Sequence, residues 1–447
     1  MKINAKLVPP LALVGALALV PVTASSFAAA DTTNYQELEK FMSVYERVKA
    51  NYVEKVDDKT LINGAIDGML SALDPHSSYV EANDFEQLKA TTDGNYGGLG
   101  LTVSMEDGVV KVIAPTEDTP AWRAGIKAGD YITHINGEFL NNLTLDEAVA
   151  KMKGDPGTQV KITIIRPGRD KPLDVALTRE RIELHPVKWE IKEGVGYINI
   201  NTFTGNVAEQ TKSALLSIDK ATGGHPLGYV VDLRSNPGGL LDQAVDVADY
   251  FLDSGEIVSQ RGRTKDDIER YYARPGDMAH GLPVVVLTDA GTASASEIVA
   301  GALQDHRRAL VMGEKSFGKG SVQTVVQTGP EAALRLTTAR YYTPSGRSVQ
   351  AGGIDPDITV PQLTDADYKD RKVVREVDLR RHLLGQANVD DKLLEQDDFA
   401  KDPRFNFTAA ELEKKGVKDF QLDYALRTLK RLRAPTNVAS AETPKRS

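Results

Sequence analysis

Leu282-Pro283-Val284-Val285-Val286-Leu287-Thr288-Asp289-Ala290-Gly291-Thr292-Ala293-Ser294-Ala295-Ser296-Glu297 is the stretch on which the reading of the chain turns. Its first part is an all-apolar run that predicts a buried strand over 282–287. Its second part opens a helix of small residues expected over 296–305. A serine at such a strand-to-helix joint is exposed, and the first helical N–H groups, which have no partner inside the helix, point at whatever it attacks. The flanking alanines leave room for a substrate backbone. Two serines, Ser294 and Ser296, sit at the joint, and the plain alternative is that they only cap the helix.

A serine nucleophile needs a base. His306 lies twelve residues beyond Ser294, roughly 18 Å along a continuous helix, and is out of reach. No motif links the other histidines to this serine. Lysine offers another route. A strand over 309–313, at ~3.3 Å per residue, returns the chain about as far as the helix carried it away. It lands the loop Ser316-Phe317-Gly318-Lys319-Gly320-Ser321 near the serine. To accept a proton at neutral pH the Lys319 ammonium must fall about three units from ~10.4, at ~1.4 kcal/mol per unit. Burial beside apolar groups does this, and a Ser–Lys pair is a known variant of triad logic. Gln323, four residues on, is expected on the side of Lys319 in helix or strand, where it can orient the amine.

Val230-Val231-Asp232-Leu233-Arg234-Ser235-Asn236-Pro237-Gly238-Gly239 runs from a buried strand into a Pro-Gly-Gly turn just before another helix. The N–H of Gly238 or Gly239, with that of Ala295, is expected to hold the oxygen of a tetrahedral intermediate; the alternative is an ordinary helix-start turn. Gly313-Glu314-Lys315-Ser316-Phe317-Gly318-Lys319 also fits the first seven positions of a phosphate-binding P-loop. The eighth must carry a magnesium-binding hydroxyl and is Gly320, so no nucleotide is expected. The G-x-S-x-G elbow of lipase-like hydrolases is absent around Ser294.

Outward from this site, strands and helices alternate over 183–363, as in an α/β layer architecture. Residues 84–182 read instead as short strands with glycine-rich turns, including Gly97-Gly98-Leu99-Gly100-Leu101, Ala124-Gly125-Ile126-Lys127-Ala128-Gly129-Asp130 and a tight turn at Asn136-Gly137. This unit resembles a PDZ domain. The resemblance implies peptide capture: Gly98, Leu99, Gly100 and Leu101 would form a nest for a terminal carboxylate, and the next strand would offer an open edge. Residues 31–83 read as a helical region, 364–433 as charged and more helical, and 434–447 as a disordered tail. The N-terminal helices and the amphipathic stripe Phe420, Leu422, Leu426, Leu429 suit either subunit contacts or core packing.

The 447 residues carry 54 basic against 63 acidic side chains, a net charge of −9. With no dense basic run, nucleic acid is not expected as a partner. Zero cysteines remove disulfides and thiolate chemistry. The 7 histidines are scattered without ligand spacing, so no metal or other cofactor is expected. Lys2 and Lys6, the apolar run near 11–20 and Ala28-Ala29-Ala30 read as a secretory signal peptide over 1–30. The expectation is an exported, periplasmic protein, membrane-associated if that segment is retained.

Together these residues resemble the C-terminal processing, or tail-specific, serine peptidases. The resemblance rests on Ser71-Ala72-Leu73-Asp74-Pro75-His76, the PDZ unit, Arg234 to Gly239, Thr292 to Asp305 and Ser316 to Thr324. It implies Ser294 as nucleophile, Lys319 as general base and Gln323 as its positioning partner. It also implies a multi-domain α/β protein with a PDZ domain inserted ahead of a crotonase/ClpP-like protease core. The implied activity is endopeptidase cleavage near substrate C-termini, with regulation by PDZ movement. The implied partners are protein tails, an adaptor protein and further copies of the chain. A non-catalytic PDZ scaffold is the alternative from another class, separable with a serine-reactive probe. An acyl-CoA enzyme sharing the expected core should lack both the export signal and the PDZ unit.

Overall fold

The structure is a computed structural model. It describes residues 32–433 apart from 82–84, 86–91, 107–108, 141–142, 170, 330–331, 366–367, 369–370 and 386–401. The signal peptide expected at 1–30 and the tail expected at 434–447 lie outside the described residues. The chain divides into two units, 1–66 and 67–447. The first holds α1 (Thr32–Asn51) and the beginning of α2 (Asp58–Ser71), whose start is capped by Asp57 through the Thr60 N–H and hydroxyl. Tyr35, Leu38, Phe41 and Met42 of α1 recur at helical spacing and remain exposed.

In the second unit, Pro75 stops the helical run and the chain enters β1 (Ser78–Glu81), a strand where helix was expected. There follow β2 (Asn95–Gly98), β3 (Leu101–Glu106), β4 (Val109–Pro115), α3 (Pro120–Arg123), β5 (Tyr131–Ile135), β6 (Glu138–Phe139), α4 (Leu145–Met152), β7 (Gln159–Ile165), β8 (Leu173–Thr178) and β9 (Glu180–Glu183). Asn136 and Gly137 take φ of 52° and 83°, the left-handed pair that a two-residue hairpin between β5 and β6 requires. The antiparallel sheet runs β3-β4-β5-β7-β8, with β6 on β5 and a separate β2–β9 pair. Alternation along β7 sends Val160, Ile162 and Ile164 into the core, where α4 adds Ala148 and Met152. Thr144 and Glu147 close a capping box at the start of α4.

The remaining elements are β10 (Val187–Lys192), β11 (Val195–Ile200), α5 (Val207–Ala221), β12 (Tyr229–Asp232), α6 (Leu241–Asp249), β13 (Glu256–Arg261), β14 (Ile268–Tyr272), β15 (Val284–Thr288), α7 (Ala295–Asp305), β16 (Ala309–Gly313), β17 (Ser321–Gly329), β18 (Ala332–Tyr342), β19 (Ile358–Thr359), α8 (Ala409–Lys414) and α9 (Phe420–Arg433). One sheet runs β10-β11-β12-β15-β16-β19 and is parallel from β11 onward. Its central strands β12, β15 and β16 are almost wholly apolar because both faces are covered, whereas the edge strand β10 carries Lys188, Glu190 and Lys192. Val231, Val284, Val286 and Val311 face one cluster with α5, α6 and α7. Val230, Val285, Leu287 and Met312 face a second cluster that contains Phe420, Leu422, Leu426 and Leu429. The amphipathic stripe near 420–429 is thus core packing; each such side chain, fully buried, is worth roughly 1.5–3 kcal/mol. Arg234 ties this layer to the sheet, bonding Asp232 at 2.6 Å and Asp419 at 2.7 Å.

A second sheet, β1-β18-β13-β14 with β17 on β18, is antiparallel throughout. The crotonase/ClpP-like core expected above is corrected here. A single layer of alternating strands and helices leaves no place for the long β17–β18 hairpin, which recruits β1 from before the PDZ-like unit and builds a β-sheet of its own beside the lysine loop.

Candidate active site

Strand β15 ends in a turn that Asp289 organises: its Oδ1 accepts the N–H of Gly291 at 2.9 Å and that of Ser235 at 2.8 Å. The two loops expected to form the site are therefore tied by one carboxylate. Asn236, fully buried, ties them again. Its carbonyl accepts the Ala293 N–H, and its side chain accepts the Gly238 N–H and donates to the Ile200 carbonyl. The Ser296 hydroxyl also donates to the Asn236 carbonyl, at 3.0 Å, and Ser296 is wholly buried. Of the two serines at the joint, Ser296 is committed to this brace.

Ser294 stands at the N-cap of α7 with φ 55° and ψ −115°. A non-glycine residue there carries roughly 1–3 kcal/mol of backbone strain, which persists only where the surroundings over-determine it. They do so through Glu297. This wholly buried carboxylate accepts the N–H groups of Ser294 at 2.8 Å and Lys319 at 2.9 Å on Oε2, and the Gly318 N–H at 2.7 Å and the Ser316 hydroxyl on Oε1. The backbones of Ser294 and Lys319 thus hang from a single oxygen. Burial pushes the Glu297 carboxyl up to about 7, against the pull of the four donors.

Lys319 is half-buried, and its ammonium is pushed below the ordinary lysine range. Desolvation is the largest cause and the neighbouring Arg335 charge the next, opposed by Glu376, Glu297 and Asp74. A lysine so placed gives up its proton more readily than one in water.

Gly238 packs directly on the serine turn. A Cβ there would lie 2.7 Å from the Ala293 carbonyl oxygen, 2.8 Å from the Ser294 Cβ and 2.9 Å from the Ala295 nitrogen, at a φ of +99°. The Gly238 N–H is spent on Asn236. Gly239 lies beside Phe203 in a parallel bridge in which the Phe203 N–H donates to Gly238 and the Leu240 N–H to Phe203. Among the described residues, no acceptor is present for the N–H of Gly239 or of Ala295.

The family model for Peptidase family S41 matches residues 194–360, that for the PDZ domain 97–177, and that for the activating protease CtpB N-terminal domain 21–84. The carboxy-terminal-processing protease of Bartonella bacilliformis is 48% identical over 362 residues, covering 80% of this chain and 83% of that protein. The chain belongs to the S41 C-terminal processing peptidases. The family member CtpB of Bacillus subtilis is 38% identical, over 77% of this chain and 71% of its own. A solved photosystem II D1 C-terminal processing protease shares 30% identity with a TM-score of 0.44, covering 73% of this chain and 87% of that one. By the family models the core is that of an S41 peptidase, a β-sheet core with a PDZ insert, in place of the crotonase/ClpP-like label.

Within this S41 chain Gln323 does not bond Lys319 among the described residues; its amide donates to the Ser321 hydroxyl at 2.9 Å and the Thr337 hydroxyl at 3.3 Å. A spacing of four keeps two side chains on one side only along a continuous element, and here Lys319 precedes β17 while the β17–β18 register shifts between Val322 and Gln323. In the PDZ domain, Gly98 ends β2, Leu99 is buried, Gly100 takes φ +74° against Thr119 and Leu101 begins β3, which lies at the end of its sheet. Glu297, Asn236 and Asp289 received no role in the sequence reading. A signal existed for the first: Ser294-x-x-Glu297 is the spacing of a capping box. Gly238→Ala is expected to lower kcat by roughly 100-fold or more, because the methyl occupies the space before the Ala295 N–H; steady-state kinetics on a variant shown folded by circular dichroism checks it.

Proposed function

We propose that this S41 peptidase is a serine endopeptidase that captures protein C-terminal tails through its PDZ domain and cleaves them with Ser294 and Lys319. What carries the reading is the Glu297 carboxylate, which holds both backbones at one point beside a half-buried lysine. Neutral Lys319 takes the Ser294 hydroxyl proton as Oγ bonds to the scissile carbonyl carbon. The oxygen, now negative, accepts from the N–H groups of Ala295 and Gly239, which are preorganised and unspent. The C–N bond breaks as Lys319 returns its proton to the leaving amine. Water then attacks the ester, losing a proton to Lys319, and Ser294 is released. A role for Gln323 in this cycle rests on the family resemblance alone, its amide bonding Ser321 and Thr337.

For capture, an extended tail adds to the edge of β3, which pairs with no other strand among the described residues, and its carboxylate sits on the backbone at Gly98 to Leu101. Export to the periplasm is supported by the basic, apolar and small-residue order of 1–30. The exposed apolar side of α1 supports a homo-oligomer, while an adaptor rests on the family resemblance alone. The test is a fluorophosphonate probe with an unstructured polypeptide. Wild type should be labelled and should cleave near C-termini, and Ser294→Ala should do neither while still binding C-terminal peptides. Labelling that survives in Ser294→Ala, or cleavage by it, ends the assignment.

A further inference from the structure

The turn Asp74-Pro75-His76-Ser77 has no part in the chemistry above, yet it reaches the lysine loop by two routes. In the first, His76 Nε2 lies 2.8 Å from Glu376 Oε2 and 3.1 Å from Oε1. Glu376, on the single turn Glu376–Asp378, is fully buried. Its Oε1 also accepts from the Gln350 amide nitrogen at 2.9 Å. The amide oxygen of Gln350, itself buried, accepts the N–H of Gly320 at 3.0 Å, the residue after Lys319. The Glu376 N–H donates to the Phe317 carbonyl at 3.1 Å. In the second route, Asp74 is held by the His76 and Ser77 N–H groups and by the Ser77 hydroxyl. Its Oδ1 accepts the Thr337 hydroxyl at 3.2 Å, and that hydroxyl receives Gln323 at 3.3 Å.

A loop with Gly318 and Gly320 on either side of Lys319 has few side chains of its own to fix it, so its position is set by what its amides bond. Glu297 holds the N-terminal side, at Ser316, Gly318 and Lys319. A buried carboxylate is costly unless its oxygens are satisfied, and for Glu376 the groups that satisfy it are also those that reach Gly320. Resting on the reading of Lys319 as general base, we propose that His76 and Glu376 are positioning residues which, through Gln350, fix the C-terminal side of the lysine loop so that the amine meets Ser294.

Among the described residues, the charges that act on Lys319 are those of Arg335 from β18, which disfavours the ammonium, and of Glu376, Glu297 from α7 and Asp74, which favour it. Removing the Glu376 charge withdraws one group that favours the protonated form, so the pH at which the amine becomes neutral falls.

The experiment measures kcat and KM for the full chain on an unstructured polypeptide across pH. His76→Ala is expected to lower kcat roughly 10- to 100-fold, the size of effect a small misplacement produces, with KM within about twofold. His76→Gln, whose amide again offers Glu376 a donor, should recover most of the loss. Glu376→Gln should move the acid limb of the kcat profile to lower pH. A folded His76→Ala with kcat within about twofold of wild type, or an unmoved limb in Glu376→Gln, overturns the proposal. If His76→Ala does not fold, the limb decides alone. Lys319→Ala run in parallel keeps the two readings apart. Turnover in that variant sinks the base assignment; a dead Lys319→Ala beside wild-type behaviour in the His76 and Glu376 variants sinks only the brace.

Discussion

Lys319→Ala will fold and bind C-terminal peptides as the wild type does, and will hydrolyse an unstructured polypeptide at least ~1,000-fold more slowly, the scale on which a general base acts. The fold is spared because the backbone N–H of Lys319, and not its amine, carries the bond to Glu297. In the proposed mechanism the amine is the group that takes the Ser294 proton, and the variant removes it. The wild-type rate should rise with pH through the ionisation of Lys319, at a pH below that of an ordinary lysine, because burial and Arg335 disfavour the ammonium. Stopped assays across pH on both proteins check this. Near-normal turnover by the alanine variant would remove Lys319 from the mechanism.

Glu297→Gln is the second large effect. Four donors converge on this side chain, and an amide offers one oxygen and an NH2 group, so at least one donor meets another donor in a buried site. The amide oxygen serves either Ser294 with Lys319 or Gly318 with Ser316, and the other pair faces the NH2 group, so the serine turn and the lysine loop no longer share one anchor, and kcat should fall roughly 100-fold or more while the secondary structure is retained. The variant also changes the pH dependence of stability. The carboxyl is raised from 4.5 to about 7 by burial, so the folded state holds a proton that the unfolded state releases between those values. The stabilisation from this group is complete below the unfolded value and is lost as pH rises through about 7. It amounts to something on the order of 3 kcal/mol. Urea unfolding of wild type and Glu297→Gln at pH 5 and pH 8 measures it. The wild type should lose more stability over that span than the variant, and equal losses would show that Glu297 is already ionised in the folded protein at the lower pH.

Periodicity carried much of the architecture. The apolar run before Ser294, the strand over 309–313 and the Asn136-Gly137 hairpin are local patterns, set by chain geometry within a few residues. The β17–β18 hairpin was not legible, because its strands mix polar and apolar positions and leave Val325 and Val326 exposed. What makes it a sheet is pairing with β1, β13 and β14 from distant parts of the chain. The same limit applies at the site. Ser294 and Lys319 could be brought together by counting residues along a helix and a strand. The buried carboxylate that joins them looks in sequence like an ordinary helix cap. Gln323 was placed by a spacing that one register shift undoes.

The docking of α9 on the back of the first sheet has a consequence for biosynthesis. Strands β11 and β12, made near the middle of the chain, keep Val195 and Val230 uncovered until the residues that carry Phe420 and Leu429 have been made. Contacts so remote in sequence form late. A nascent chain halted short of them has an open apolar sheet, and its Arg234 keeps Asp232 but lacks Asp419.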